Sequence, residues 1–239
     1  MRIAIVSDIH GNQTAFEAVL ADLRQTSPDV VLHGGDLADT GSSPVEIVDH
    51  IRSLSWHGVV GNTDQMLTSP ETFEEFANQS PNLESLWAVL REMAAATREA
   101  LGEERLAWLR NLPLTQIHAP IALVHASPES PWRAPTPEAS DDELRSLYGP
   151  LGQPVVVYGH IHRPYIRSMS KIIVANTGSV GLPYNGDRRA SYLLIEGAKP
   201  EIRRVEYDMD RELGALSCSG FPHADWVART LKSGASQMP

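Results

Sequence analysis

The chain reads as an α/β protein of four layers, in which two mixed β-sheets pack face to face and helices cover their outer surfaces. Two observations predict this. Strand-like and helix-like segments alternate through the first half, which is the pattern of a parallel or mixed sheet with helices on its faces. Strand-like runs then return in the second half, and two stacked sheets use all of them.

The elements follow in order. Ile3-Ala4-Ile5-Val6 is a short apolar run of the kind found in a buried strand. Phe16, Val19, Leu20 and Leu23 repeat at helical spacing, and Val30-Val31-Leu32 is a second strand. Ser43-Pro44-Val45-Glu46 carries a helix-start signature, a Ser cap followed by Pro and then Glu, and Val48, Ile51 and Leu54 continue that helix on one face. Val59-Val60 ends a third short strand.

The pattern changes over about residues 72–112. Leu83 to Leu101 is rich in Leu, Ala, Glu and Arg, good helix formers, and Gly102 is read as a stop. We expect a helical insertion there, either a cap or interaction surface or an ordinary packing pair, within a single domain spanning 1–239. Strand signals resume at Ile121–Val124 and Val155–Tyr158, separated by the Pro-rich loop Ser127–Pro137 and a second capping box at Ser140–Glu143. Lys171–Ala175, Ser191–Ile195 and Ile202–Tyr207 complete the strands.

The composition is 42% hydrophobic and 21% charged, which is that of an ordinary globular protein. No apolar run reaches the roughly 20 residues of a membrane-spanning helix, and the N-terminal run is too short for a signal peptide. A cytoplasmic protein without a membrane partner is expected. The net charge of −10 disfavours extended nucleic-acid binding. A small phosphorylated substrate remains compatible with it, because bound cations reverse the local field. The one cysteine, Cys218, rules out an internal disulfide or a multi-cysteine zinc site, so any metal must be held by nitrogen and oxygen.

Five apolar runs end in residues able to bind metal. They are followed by Asp8-Ile9-His10-Gly11-Asn12, by Gly35-Asp36, by Gly61-Asn62-Thr63-Asp64, by His125, and by Gly159-His160-Ile161-His162. Ligands of open α/β sheets gather outside the carboxyl ends of strands, so these groups are expected to converge although they lie far apart in sequence. An isolated Asp-x-His or a lone strand-end His carries little weight; the ordered set of five carries much more.

This series resembles that of the calcineurin-like metallophosphoesterases, over residues 4 to about 195. Within that family it is similar to the small bacterial and archaeal phosphodiesterase branch, a likeness supported by Asn176-Thr177-Gly178-Ser179. The resemblance implies two divalent cations. One would be held by Asp8, His10, Asp36 and His162, and the other by Asp36, Asn62, His125 and His160, with Asp36 bridging. It also implies attack on phosphorus by a hydroxide shared between the two cations, in a hydrolase of phosphodiesters or phosphomonoesters. Carboxylates and imidazoles without thiolate suit Mn²⁺, Fe, Zn²⁺ or Co²⁺ rather than a sulfur-loving ion, and Mn²⁺ is the expected metal, with Fe, Zn²⁺, Co²⁺ and Ni²⁺ as alternatives.

One position departs from the family. Where the motif usually has His, a residue taken to protonate the leaving group, this chain has Thr63. A hydroxyl donates a hydrogen bond but is too weak an acid for that transfer near neutral pH. The resemblance implies that Asn62, Thr63, Asp64 and His125 act in catalysis, with Asp64 orienting a ligand. Asn12, Thr63, Ser179 and Arg188 are the candidate substrate contacts; a helix cap competes as the role of Asn12, and a surface ion pair is expected of Arg188 or Arg189. Trp132 could line a substrate pocket. His33, His50, His57, His118 and His223 and the remaining tryptophans are read as structural. A nucleotide is among the candidate substrates, and a homo-oligomer is left open. The competing reading is a scaffold or protein-interaction member that keeps the fold without efficient chemistry.

Overall fold

A computed structural model describes residues 1–239 in full. Ten strands form two five-stranded sheets. The first has the order β10-β9-β1-β2-β3, from β1 (Arg2–Val6), β2 (Val30–His33), β3 (His57–Gly58), β9 (Ala190–Glu196) and β10 (Lys199–Val205). The second has the order β4-β5-β6-β8-β7, from β4 (Thr115–His118), β5 (Ile121–Val124), β6 (Val155–Tyr158), β7 (Tyr165–Ser168) and β8 (Ile173–Asn176). Both sheets are mixed: β1, β2 and β3 run parallel, as do β5, β6 and β8, while the remaining pairings are antiparallel.

The period-2 alternation of each strand explains the layers. Ile3 and Ile5 of β1, Ile121 and Leu123 of β5, and Val155 and Val157 of β6 meet between the sheets in one buried cluster with Leu32, Leu193 and Ile195. Each buried aliphatic side chain of this kind contributes about 1.5–3 kcal/mol. Ala4 and Val6 face the other way, into a core shared with helices α1 (Gln13–Thr26) and α2 (Pro44–Ser53). Val156 and Tyr158 pack outward on α6 (Asp141–Tyr148). Helix cover on both outer faces therefore makes the apolar strands continuous rather than alternating, as the sequence displays them.

The stretch from 70 to 110 is mostly helical, as α3 (Asn62–Thr68) gives way to α4 (Pro70–Ala77), a short turn, and α5 (Glu84–Arg110). Phe73, Trp87, Leu101, Leu106 and Leu109 enter the same core as α1 and α2. Gly102, with φ +67° and ψ 168°, leaves helical geometry and divides α5 into two helical segments at a kink, so the helix stops there as expected and a second one follows at once. Two C-terminal helices, α7 (Met209–Cys218) and α8 (Ala224–Ser233), pack with Met93 of α5 and Leu182.

Several local expectations shift. The pairing of the third strand covers His57–Gly58, and Val60 instead sends its N–H to the Pro113 carbonyl, at 2.9 Å. The capping box at Ser140 forms, whereas Ser43 makes no side-chain cap bond and α2 begins on Pro44 alone. The last strand starts three residues early because β9 and β10 pair as a hairpin from Glu196↔Lys199 about Gly197, φ +64°.

His33 closes β2 with its side chain fully buried and neither ring nitrogen hydrogen-bonded. Burial, with the charge of His57, pushes its pKa down to about 3. The unfolded chain, where an imidazole titrates near 6.5, binds this proton between those two values while the folded chain does not. The folded state therefore loses stability as pH falls from about 6.5 toward 3, by up to about 1.4 kcal/mol per pH unit. Denaturant titrations at pH 7, 6 and 5 should show His33→Leu gaining on the wild type as the solution acidifies. A difference that stays constant with pH would contradict this account of His33.

Candidate metal centre

The parallel strands β1, β2, β5 and β6 and the end of β3 deliver their following loops to one place. Backbone bonds join those loops directly: Asp8 N–H donates to the Gly35 carbonyl at 3.0 Å, and His10 N–H to the Asp36 carbonyl at 3.1 Å. His160 N–H donates to Asp8 Oδ1, also at 3.0 Å. Turning so sharply requires unusual backbone. Nine non-glycine residues have positive φ, and five of them are Asp8, His10, Asp36, His160 and His162. Such conformations persist only where the surrounding structure over-determines them, and they gather at functional sites.

Space is equally tight at Gly61, where an added Cβ would lie 2.0 Å from Asp36 Oδ1. That contact accounts for the glycine before Asn62.

Four of the predicted residues, Asp8, His10, Asp36 and His162, are buried with one donor atom each inside a 4.8 Å cluster. His162 Nε2 lies 3.1 Å from Asp8 Oδ1 and 3.2 Å from His10 Nε2. Asn62 Oδ1 gathers the others, at 2.9 Å from His125 Nε2 and 2.8 Å from His160 Nδ1. Asp36 Oδ2 stands between the two groups, 3.6 Å from His10 Nε2 and 3.6 Å from His125 Nε2. Asn62 and His160 are only half-buried, which marks the open side of the site.

This donor set fits divalent cations. Ligands about 2.1 Å from one cation sit roughly 3–3.5 Å from each other, which is the spacing seen here. Three imidazoles also have their tautomer fixed from behind: His10 Nδ1 meets the Asp39 carbonyl at 3.0 Å, His125 Nδ1 that of Gly34 at 2.7 Å, and His162 Nδ1 that of Leu182 at 2.5 Å. Their Nε2 lone pairs are thereby left facing inward, the arrangement that metal-binding histidines use. Burial lowers the pKa of His10 and, reinforced by the His125 charge, brings that of His160 down to about 4. Burial pushes the Asp8 carboxyl up, but the opposing charge and hydrogen bond of His162 outweigh it and leave the pKa lowered. Each of these directions favours the deprotonated form that binds metal.

Asp64 lies beneath the centre, fully buried, and accepts N–H bonds from Asp36 at 2.8 Å, Leu37 at 3.0 Å and Gly61 at 3.0 Å. It holds the backbone on which Asp36 sits. Thr63 donates its backbone N–H to Asp36 Oδ1 at 2.9 Å, and its hydroxyl is buried without a partner in the chain.

Of the candidate substrate contacts, Thr63 lies beside Asp36, while Asn12, Ser179 and Arg188 have the following surroundings. Asn12 caps α1 through Ala15 N–H at 2.9 Å and donates to the Gly181 carbonyl at 3.0 Å, so both of its amide atoms are used within the fold. Ser179 Oγ donates to the Asp8 carbonyl and accepts from Leu182 N–H, both at 2.7 Å, and is fully buried. Arg188 is exposed beside a cavity of about 580 Å³ whose lining includes none of the ligand residues. Arg189 pairs with Asp187 at 2.7 Å. Trp132 packs on Phe76, donates to Gln65 Oε1 at 2.5 Å and is 9% exposed, which makes it a tie between the loop after His125 and the helix that starts at Asn62. Sequence reasoning singled out Asn176 without giving it a role, and its amide donates to the Gly159 carbonyl at 2.6 Å; it missed Tyr184, whose ring stacks on His162. It also missed the backbone carbonyls behind the histidines, which no residue type announces.

The calcineurin-like phosphoesterase superfamily domain matches residues 1–199. The chain belongs to that superfamily. An uncharacterised protein of Methanocaldococcus jannaschii is 30% identical over 252 residues, covering 96% of each chain. A metallophosphoesterase of Sphaerobacter thermophilus has a crystal structure that superposes with a TM-score of 0.79 at 27% identity, over 98% of this chain and 99% of that one. A hypothetical protein of Pyrococcus horikoshii, 20% identical, shares the fold with a TM-score of 0.84 over 99% of both chains. Family and buried Asp/His cluster together support a metal-dependent phosphoesterase. No helix is long and apolar enough to cross a membrane.

Replacing Asp64 by Asn puts an amide that carries two donors opposite three N–H groups. Asp64→Asn should weaken metal binding about 10–100-fold, as loss of a partner behind a ligand typically does, and should lower Tm. Calorimetric titration with Mn²⁺ checks it; unchanged affinity would show that Asp64 does not set the position of Asp36.

Proposed function

We propose that the chain hydrolyses phosphodiesters or phosphomonoesters with good leaving groups, such as aryl or nucleotide phosphates, at a two-cation centre. Asp8, His10, Asp36 and His162 would hold one cation, and Asp36, Asn62, His125 and His160 would hold the other. The observation that carries this reading is the place of Asp36 Oδ2, equidistant at 3.6 Å from a histidine nitrogen of each group. A shared carboxylate is the usual device for two cations roughly 3.5–4 Å apart.

Divalent cations at such a centre supply charge neutralisation at phosphoryl oxygens and make water acidic enough to act as a nucleophile near neutral pH. The chain's own residues do the rest. The carbonyl-locked imidazoles present fixed lone pairs, so little reorganisation accompanies binding. Neutral Asn62 adds a ligand without adding negative charge, so the centre stays attractive to a phosphate. Asn62 and His160, at the open side, leave the substrate room to enter beside Thr63. Thr63 steadies Asp36 through its backbone N–H, a bond that any residue other than proline provides, while its side chain offers only a hydroxyl. Without a proton donor at this place, the departing oxygen must carry its own charge, and this limits the site to stable leaving groups. Mn²⁺ is the metal proposed first, with Fe, Zn²⁺, Co²⁺ and Ni²⁺ as comparators, since mixed imidazole and carboxylate donors accept all of them.

Two experiments test the reading. After chelation, p-nitrophenyl phosphate and bis-p-nitrophenyl phosphate should turn over only when Mn²⁺ is returned, and the better of the two identifies the monoester or diester preference. No turnover by protein that binds metal would favour a scaffold. Thr63→His keeps the backbone bond to Asp36 and adds an acid; it should raise rates on alkyl esters by about 10²-fold or more, within the range of general acid catalysis, and change aryl esters little. An unchanged alkyl-ester rate would count against the assigned role of Thr63.

A further inference from the structure

We propose that Tyr184 is a positioning residue of the metal centre, whose ring clamps His162 so that its Nε2 points at the cation held with Asp8, His10 and Asp36. The inference rests on the ligand assignment made under Proposed function and concerns a residue outside that set. The Tyr184 ring lies on the His162 imidazole with centroids 4.3 Å apart and planes 22° from parallel. His10 meets the same imidazole with centroids 4.9 Å apart, tilted by 51°. Tyr184 N–H donates to the His162 carbonyl at 3.2 Å, joining the two segments through the backbone.

These contacts complete a set of restraints. His162 has positive φ, 55°, so its backbone does not settle into place by local preference. The Leu182 carbonyl fixes Nδ1, yet a single hydrogen bond leaves the ring free to tilt about it. A stacked ring removes that tilt, and Leu182 and Tyr184 supply both restraints from one short stretch of chain. The Tyr184 hydroxyl has no hydrogen-bond partner in the chain, so the clamp uses the ring and not the oxygen.

Tyr184→Phe keeps the ring and Tyr184→Leu removes it, with Tyr184→Met as a second apolar replacement should Leu impair folding. Metal-stripped proteins would be titrated with Mn²⁺ by calorimetry and with Co²⁺ by visible absorption. Wild type and Tyr184→Phe should bind two cations alike, within about threefold. The Leu or Met variant should lose about 10–100-fold in affinity for one cation only and should show an altered Co²⁺ spectrum, with the second cation serving as an internal measure of intact folding. Unchanged affinities in the Leu or Met variant would overturn the clamp while leaving the ligand assignment intact. An equal loss in Tyr184→Phe would also overturn it, by placing the effect on the hydroxyl. A wild type that binds no cation would overturn both.

Discussion

The carboxylate of Asp36 sits where two sheets, two groups of donors and two strained loops meet, and its placement constrains everything around it. Asp64 fixes its backbone with three accepted N–H bonds shared among Asp36, Leu37 and Gly61. Thr63 takes one carboxylate oxygen, and the other faces His10 and His125. Gly61 must be glycine because Asp36 occupies the space of its missing Cβ. Pulling any of these away frees a buried charge, and an unpaired buried charge is far more costly than a poorly packed methyl group.

The same arrangement appears behind the histidines. Their outer nitrogens are held by carbonyls of Asp39, Gly34 and Leu182, two of which belong to ligand-bearing loops. The loop from Asn176 to Tyr184 has no candidate ligand of its own, yet it supports three of them: Asn176 holds the Gly159 carbonyl before His160, Ser179 holds the Asp8 carbonyl, and Leu182 with Tyr184 holds His162. The residues that resembled a family signature in this loop act as a buttress, with their polar atoms turned into the fold.

Much of this is legible in the sequence, for a definite reason. Candidate ligands at strand ends announce themselves because a polar residue, often next to glycine, interrupts an apolar run, and the run identifies the strand. Thus the order of residues alone groups Asp8, Asp36, Asn62, His125 and His160 at one edge. The edge strands are harder to find: Thr115–His118 and Tyr165–Ser168 are short and half polar, and their pairing is set by neighbours. Gly102 is a true stop signal, but a second helix begins directly after it and packs Leu106 and Leu109 into the same core, which the stop alone does not announce. Asn12 and Ser179 carry polar groups in motif positions, and only the three-dimensional contacts reveal that those groups face inward. The stack of Tyr184 on His162 joins residues in different loops through ring orientation, which has no trace in residue spacing.

The scatter of the donors along the chain, from Asp8 to His162, has a consequence for how the protein keeps its shape over time. Neither group of donors exists until both sheets have formed and met, so the centre is among the last features to assemble. A cation bound there would contribute little to the early stages of folding. It would act afterwards as a fastening between the two halves, stabilising the native state relative to the barrier that leads out of it. Metal content would then set the protein's lifetime more than its rate of folding, which topology governs.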